Sequence, residues 1–229
     1  CQITPKLSGS FTGAYSRNIS MYDYVEVSRF FSDGEQTSMT GVERSNHSTI
    51  DDMGYRMEFD YRPGTNHHIR FGSNYLHHIY HPQNTASRNQ TDRDTLSAES
   101  ASSYKGNEVA FYAEDEMRLS SKAKLNTGLH YTLYQTDGKI YHSLEPRLAM
   151  SYQCSKKATM KVSYTEMSQF AHQLSNTYLN LPTDSWVPST RKVRPMRSRQ
   201  VAAGIYTELP RHIRLNVEGY YRTTSQLLE

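Results

Sequence analysis

The chain has 229 residues, and its 26 Lys and Arg against 23 Asp and Glu leave a formal charge of +3 spread along the chain, without the basic stripe that a nucleic-acid surface needs. Only 36% of the residues are hydrophobic although 18 are tyrosine. The mean hydropathy is −0.77, and no window approaches the roughly 18–20 apolar residues of a membrane-crossing helix. A β-barrel, in which only alternate residues must be apolar, stays open. Cys1 and Cys154 have neither metal nor redox spacing, so they support no zinc site and no disulfide framework. The opening Cys1-Gln2-Ile3-Thr4-Pro5 has no charged n-region or apolar h-region, so no signal peptide is read here.

In chain order, strands are expected near 7–30, 48–62, 67–80, 105–119, 123–136, 141–154, 158–168, 198–209 and 213–226. The clearest is 123–136. There Ala123, Leu125, Thr127, Leu129, Tyr131 and Leu133 alternate with Lys124, Asn126, Gly128, His130, Thr132 and Tyr134, the pattern of one apolar and one wet face. The last strand repeats it, with Ile213, Leu215, Val217, Gly219 and Tyr221 opposite Arg214, Asn216, Glu218, Tyr220 and Arg222. No helix is expected except a short turn near Gln173–Leu179.

The connections form two alternating classes. Tight links fall at Ile3–Lys6, Arg62–Asn66, Ser120–Lys122, Ser155–Lys157 and Pro210–His212; longer loops are expected near 31–47, 81–104 and 169–197, with a shorter one at Gln135–Lys139. Short turns at one rim and long loops at the other are the layout of an outer-membrane barrel. The fold class is therefore all-β, an antiparallel up-and-down meander forming a partial outer-membrane β-barrel of about nine strands. Acidic residues at Glu108, Glu114, Asp115, Glu116, Glu145 and Glu218 are expected to line its wet face and pair with Arg118, Arg147, Arg214 and Arg222.

Several segments are similar to known ones. Glu108–Leu119, a short turn and Leu125–Tyr131 resemble a hairpin of TonB-dependent receptor barrels, and Leu144-Glu145-Pro146-Arg147-Leu148 resembles a strand start of that family. Leu181–Pro188 and Val217–Arg222 resemble segments of Bacteroides-type receptors. The resemblance implies residues 1–229 as a single segment of a twenty-two-stranded barrel in the outer membrane of a Gram-negative bacterium. It also implies a plug domain and further strands outside this sequence, coupling to the TonB complex through that plug, and energy-coupled uptake of an oligosaccharide, siderophore, haem or similar nutrient. Outer-membrane lipid is then a partner, the imported ligand is undefined, and open strand edges are ones that would pair with another copy.

Two groups are candidates for ligand binding. His77, His78 and His81 belong to a histidine-rich strand with His67 and His68, and imidazoles attract haem iron and transition metals. Adjacent strand residues point to opposite faces, however, so His77 and His78 cannot share a metal, and no metal site is expected. Tyr178, Trp186 and Arg191 lie in the loop 169–197, where aromatic and basic groups suit a sugar ring or an anionic siderophore. No nucleophile elbow, zinc helix or phosphate loop occurs, so no catalytic residue, no cofactor and no enzymatic role is expected. The competing reading is a soluble β-sandwich or barrel module that binds carbohydrate or protein. It requires Leu125, Leu129, Leu133, Ile213, Leu215 and Val217 to meet in a dry core, whereas the barrel requires them in an outward band.

Overall fold

A chain whose strands alternate apolar and polar residues can satisfy every backbone group by pairing sideways, and the computed structural model shows that arrangement. It describes residues 1–91, 95–174, 185–210 and 213–227. Among them there is no α-helix. The strands are β1 (Gln2–Thr4), β2 (Leu7–Ser32), β3 (Glu35–Tyr61), β4 (His67–Thr91), β5 (Thr95–Ala101), β6 (Tyr104–Arg118), β7 (Ala123–Thr136), β8 (Lys139–Ser155), β9 (Ala158–Gln169), β10 (Ala171–Leu174), β11 (Ser185–Pro188), β12 (Met196–Leu209) and β13 (Ile213–Ser225). All but β10 and β11 form one 11-stranded sheet in the order β1-β2-β3-β4-β6-β7-β8-β9-β12-β13, with β5 paired to the far end of β4. Every pairing is antiparallel and nine of the strands are long, so the up-and-down meander of about nine strands holds.

Cross-strand register carries one face through the whole sheet. Val201 opposes Tyr221 and Tyr164, Tyr164 opposes Leu148, Leu148 opposes Thr127, and Thr127 opposes Asp115. Residues on this face include Phe11, Phe71, Phe111, Leu129, Leu144, Leu148, Val162, Ile205 and Val217, and all are exposed. The opposite face is polar, yet it holds the fully buried side chains of the long strands, Tyr80, Tyr134, Thr132 and Thr136. Apolar side chains outside and polar ones inside invert the soluble arrangement. This is the polarity of a section of barrel wall, whose apolar face suits lipid and whose polar face suits a lumen.

Two expected loops prove to be strand. Residues 31–47 form the top of a hairpin in which β2 and β3 run 26 and 27 residues, closed at Asp33-Gly34 with φ of 52° and 86°. Such a two-residue turn with both φ positive is a hairpin closure that glycine favours. Likewise β4 continues to Thr91 and β5 pairs back upon it, so 81–104 is largely strand. A strand of about 26 residues spans roughly 86 Å, far more than the about 9–11 residues a tilted membrane strand needs. The β2–β3 hairpin therefore stands well above the long-loop rim.

The expected helical turn at Gln173–Leu179 is corrected at its start, where Gln173 and Leu174 are strand paired with Trp186 and Ser185; its remainder lies outside the described residues. The charge pairing is corrected as well. Glu114 pairs with Arg70 at 2.5 Å, Glu116 with Lys124 at 3.4 Å and Asp115 with His67 at 2.7 Å, while Glu218 accepts from Tyr206 at 2.7 Å. Arg222 binds Gln200. Of the expected partners only Arg147 approaches one of these carboxylates, Glu145 at 3.9 Å on its own strand.

The two faces predict opposite responses to charge. Leu148→Arg places a cation on the apolar face and is expected to cost about 2–4 kcal/mol of folding free energy in lipid vesicles. Asn126→Arg at the same height on the polar face should cost less than about 0.5 kcal/mol. Denaturant titration of the intact receptor in lipid vesicles measures both, and equal costs would place the apolar face elsewhere than against lipid.

Candidate functional site

The polar face gathers its chemistry at the long-loop end. Asp52 on β3 and His78 on β4 are direct cross-strand partners, and the His78 Nδ1 lies 2.6 Å from the Asp52 carboxylate. The other imidazole nitrogen faces Glu108 on β6 at 4.0 Å and has no hydrogen-bond partner. Two strands on, His130 of β7 lies 3.4 Å from Glu145 of β8, again a direct pair. Acid and imidazole thus alternate across five neighbouring strands. They do so because each residue has the parity that sends its side chain inward.

Aromatic rings close the row from above. Tyr80 and Tyr134 are fully buried, and the His78 ring lies tilted against both at ring centroid distances of 5.6 and 6.3 Å. The Tyr134 ring lies over Gly106, where a Cβ would come within 2.6 Å of its hydroxyl oxygen. On its other side Phe170 stacks on Tyr134 at 4.7 Å and 16°. Phe170 begins the connection between β9 and β12, whose β10 and β11 pair with each other as a small ribbon, and β11 rests against β3 and β4. The connection therefore folds inward as a strap over the mouth. Tyr141 Oη donates to the Thr190 carbonyl at 2.6 Å and the Ser189 N–H donates to the Phe170 carbonyl at 2.7 Å, which fixes its two ends together.

The strap enters through a split in the wall. The β8–β9 ladder stops at the Arg147–Thr165 pair, whereas β8 continues against β7 to Lys139 and β9 continues against β12 to Gln169. The Glu145 carboxylate replaces the missing rungs. It accepts the Ser168 N–H at 3.0 Å and the Ser143 hydroxyl at 2.9 Å. Lower on the same inner face, Arg56, Glu58, Tyr112, Glu114, His130 and Arg147 line a concavity of about 320 Å³. The arrangement offers hydrogen bonds and mixed charge for holding a polar solute or another protein surface. Among the described residues no group of three or more His, Cys, Asp and Glu is placed to hold a metal ion.

The six sequence candidates do not converge. His78 is buried in the inward row, whereas His77 takes the outward register, with its Nδ1 2.9 Å from Asn107 Oδ1, and His81 stands opposite Thr49 on that register. His67 and His68 sit at the short-turn rim, bound to Asp115 and Asp60, so the histidine-rich strand is not one site at the mouth. Trp186 is half-buried in the strap opposite Gln173, and exposed Arg191 lies against the β7–β8 turn at Gly138. Tyr178 lies outside the described residues. Reading single residues by chemical type missed Asp52, Tyr80, His130, Tyr134, Phe170 and His172. For His78 and His130 the shared even-numbered, inward parity was the available signal. Nothing local to Phe170 marks it, because its partner is 36 residues away in sequence.

His172 gives the strap a pH dependence. It is buried in the strap, 2.9 Å from Ser189 Oγ, and burial lowers its pKa below the ordinary value of 6.5. The folded strap thus prefers neutral imidazole, so its stabilisation is present above the unfolded pKa and is lost as pH falls through the depressed folded one. Trp186 emission, taken as the difference between the receptor and its Trp186→Phe variant, should shift red as pH drops from 7 towards 5, and His172→Gln should flatten the response. A pH-independent Trp186 signal would contradict this. Phe170→Ala, which empties a stacked buried site, should expose residues 170–174 and 185–195 to protease while the wall stays resistant. Unchanged cleavage would show that the stack does not hold the strap.

The chain matches the family described as TonB dependent receptor-like, beta-barrel, over residues 4–229. Among solved structures it is similar to the FrpB iron transporter from Neisseria meningitidis, with 15% identity, TM-score 0.54 and coverage of 82% of this chain and 32% of that one. It is similar to the RagAB peptide importer at 11% identity and TM-score 0.66, covering 99% of this chain and 29% of that one. It is similar as well to BauA, the ferric preacinetobactin receptor from Acinetobacter baumannii, at 12% identity and TM-score 0.54, covering 95% and 35%. No curated protein matches. The chain thus spans about a third of the length of these structures, and at such identities their likeness shows the fold. With the apolar face outward, the polar face inward and the family matched over nearly its whole length, this chain belongs to the TonB-dependent receptor β-barrel family.

Proposed function

We propose that residues 1–229 are one segment of the wall of an outer-membrane receptor in a Gram-negative bacterium that imports a scarce nutrient with energy from the TonB complex. The observation that carries this reading is the inverted polarity of the sheet: apolar side chains exposed on one face, and an acid–imidazole row, buried at His78 and Glu145, under an inward strap on the other. Nutrient would approach from the long-loop side, where the strap narrows the entrance. A plug domain filling the lumen would meet the mixed charges of Arg56, Glu58, Glu114 and Arg147, and coupling to TonB would run through that plug. The cargo is an oligosaccharide, a siderophore, haem or a similar solute too large or too scarce for passive pores; iron, a ferric siderophore and peptide are the cargoes named for structures of similar fold. Binding and passage, with no chemical step, are the work assigned to it.

The soluble binding module is disfavoured by the residues that discriminate. Leu129, Ile213, Leu215 and Val217 are 48, 56, 46 and 61% exposed, and among the described residues the buried hydrophobic side chains are Tyr80, Ala110, Tyr134 and Phe170, none on the apolar face of a long strand. A sandwich would bury the first set.

Growth on limiting haemin, ferric siderophore, oligosaccharide or peptide, compared in strains with and without the intact receptor, tests the function. Receptor-dependent growth on one of these sources, abolished when the TonB complex is removed, is the expected result. Receptor-dependent growth that survives loss of TonB would contradict energy coupling.

A further inference from the structure

The split between β8 and β9 leaves a place in the wall that backbone pairing does not fill. A cavity of about 150 Å³ opens there, lined by Tyr141, His142, Ser168, Arg194, Arg197 and Gln226 among others. At the roughly 30 Å³ that each water occupies in the liquid, this is room for about five waters, enough for one tetrahedral oxyanion. Arg197 reaches across the split, its Nη2 donating to the His142 carbonyl at 3.4 Å.

The surroundings are cationic. Lys139, Arg191, Lys192 and Arg194 are exposed nearby, and Arg191 lies against the turn at Gly138. The neighbouring acids are largely occupied. Glu166 is held by Arg199 at 3.5 Å, and Glu145, on the lumen side, already accepts from Ser143 and Ser168; Asp137 in the turn is the one exposed counter-charge among the described residues of the β7–β8 turn.

Height decides what anion meets these groups. The outward residues of β8 from Tyr152 to Ile140 are apolar or tyrosine except His142, and all but Pro146 are exposed. That span is about 40 Å along the strand and about 30 Å of height at the roughly 40° tilt of membrane strands, close to the ~25 Å apolar band of such barrels. His142 takes the same outward register, and the cavity beside it sits at the upper border of the band, where lipid head groups begin. A guanidinium fork matches the oxygens of a phosphate better than any other side chain does. Basic pockets at a membrane border are the form that head-group recognition takes.

We propose that the cavity between β8 and β9 binds the phosphate of a phosphorylated glycolipid in the surrounding outer leaflet, with Arg194 and Arg197 as its ligands. The proposal rests on the reading of this sheet as a membrane wall. Bound lipid would tie the strap's exit, at Arg194 to Arg197, to the top of β8, joining the two sides of the split from outside as Glu145 does from inside.

The test titrates the intact receptor in detergent with three probes: a diphosphorylated glucosamine acyl lipid, the same lipid with its phosphates removed, and inorganic phosphate. The phosphorylated lipid should bind, and the other two should bind far more weakly. Arg194→Gln with Arg197→Gln should weaken it about thirtyfold, Arg197→Lys should weaken it less, and the charge-matched pair Lys156→Gln with Lys157→Gln at the opposite rim should leave it unchanged. Equal binding of the dephosphorylated lipid, equal weakening by both double variants, or inorganic phosphate binding as tightly as the lipid would each overturn the assignment. If the double variant does not fold, Arg197→Lys alone decides, since a retained charge with a lost fork must weaken phosphate binding. Failure of the membrane reading is separately visible, because the unaltered receptor would then stay folded and soluble without detergent.

Discussion

Every backbone N–H and C=O of a membrane-crossing strand must find its partner on the strand beside it, because lipid offers none. The rest of this structure follows from that demand. Sideways pairing fixes the register from β2 through to β13, register fixes parity, and parity sends every second side chain to lipid and every other one to the lumen. The hydrophobic content can then be as low as 36% while the middle of the outer face is dominated by apolar side chains. Where the pairing lapses, between β8 and β9, the structure repairs it with a side chain, and that lapse is where the strap turns inward.

The lumen side obeys a different rule. Polar groups withdrawn from water need partners, and here they find them across strands: Asp52 with His78, His130 with Glu145, and Glu145 with Ser143 and Ser168. Tyr80, Tyr134 and Phe170 cover them and so provide the largest described piece of dry packing, built on the face that a soluble protein would leave wet. Rigid wall and docked strap are thus parts of one cluster. The strap is linked to β7 and β4 through rings in contact, and to β3 through the Asp52–His78 hydrogen bond.

Strands within the membrane were legible because lipid imposes the period of two. In β7 and β13 the aliphatic residues all fall on one face, which a few small or polar positions such as Thr127 interrupt, and their expected bounds agree with the structure to within a residue. Above the membrane that demand lapses. The upper half of β3 reads Glu35, Gln36, Ser38, Thr40, Glu43, Arg44, Ser45, Asn46 and His47, polar on both faces, and is indistinguishable by pattern from a loop. Its Asp33-Gly34 closure was the remaining clue. The candidate site was legible only in part. Parity places His78 inward and His77 outward, but some charged pairs are set by diagonal reach rather than direct register, so Glu116 finds Lys124 and Asp115 finds His67. The strap's docking on Tyr134 is a long-range contact that no local pattern encodes.

The central claim is that odd-numbered residues of β12 and even-numbered residues of β8 and β9 face lipid while their immediate neighbours face the lumen. Nitroxide labels on the intact receptor in lipid bilayers test it directly, after the exposed free thiols Cys1 and Cys154 have been replaced by serine. Labels at Leu148, Val162 and Ile205 should collide with dissolved oxygen and be shielded from a water-soluble nickel chelate, and labels at Arg147, Ser163 and Gly204 should show the reverse. Neighbours with the same accessibility, or apolar positions shielded from both probes as in a dry core, would contradict the account.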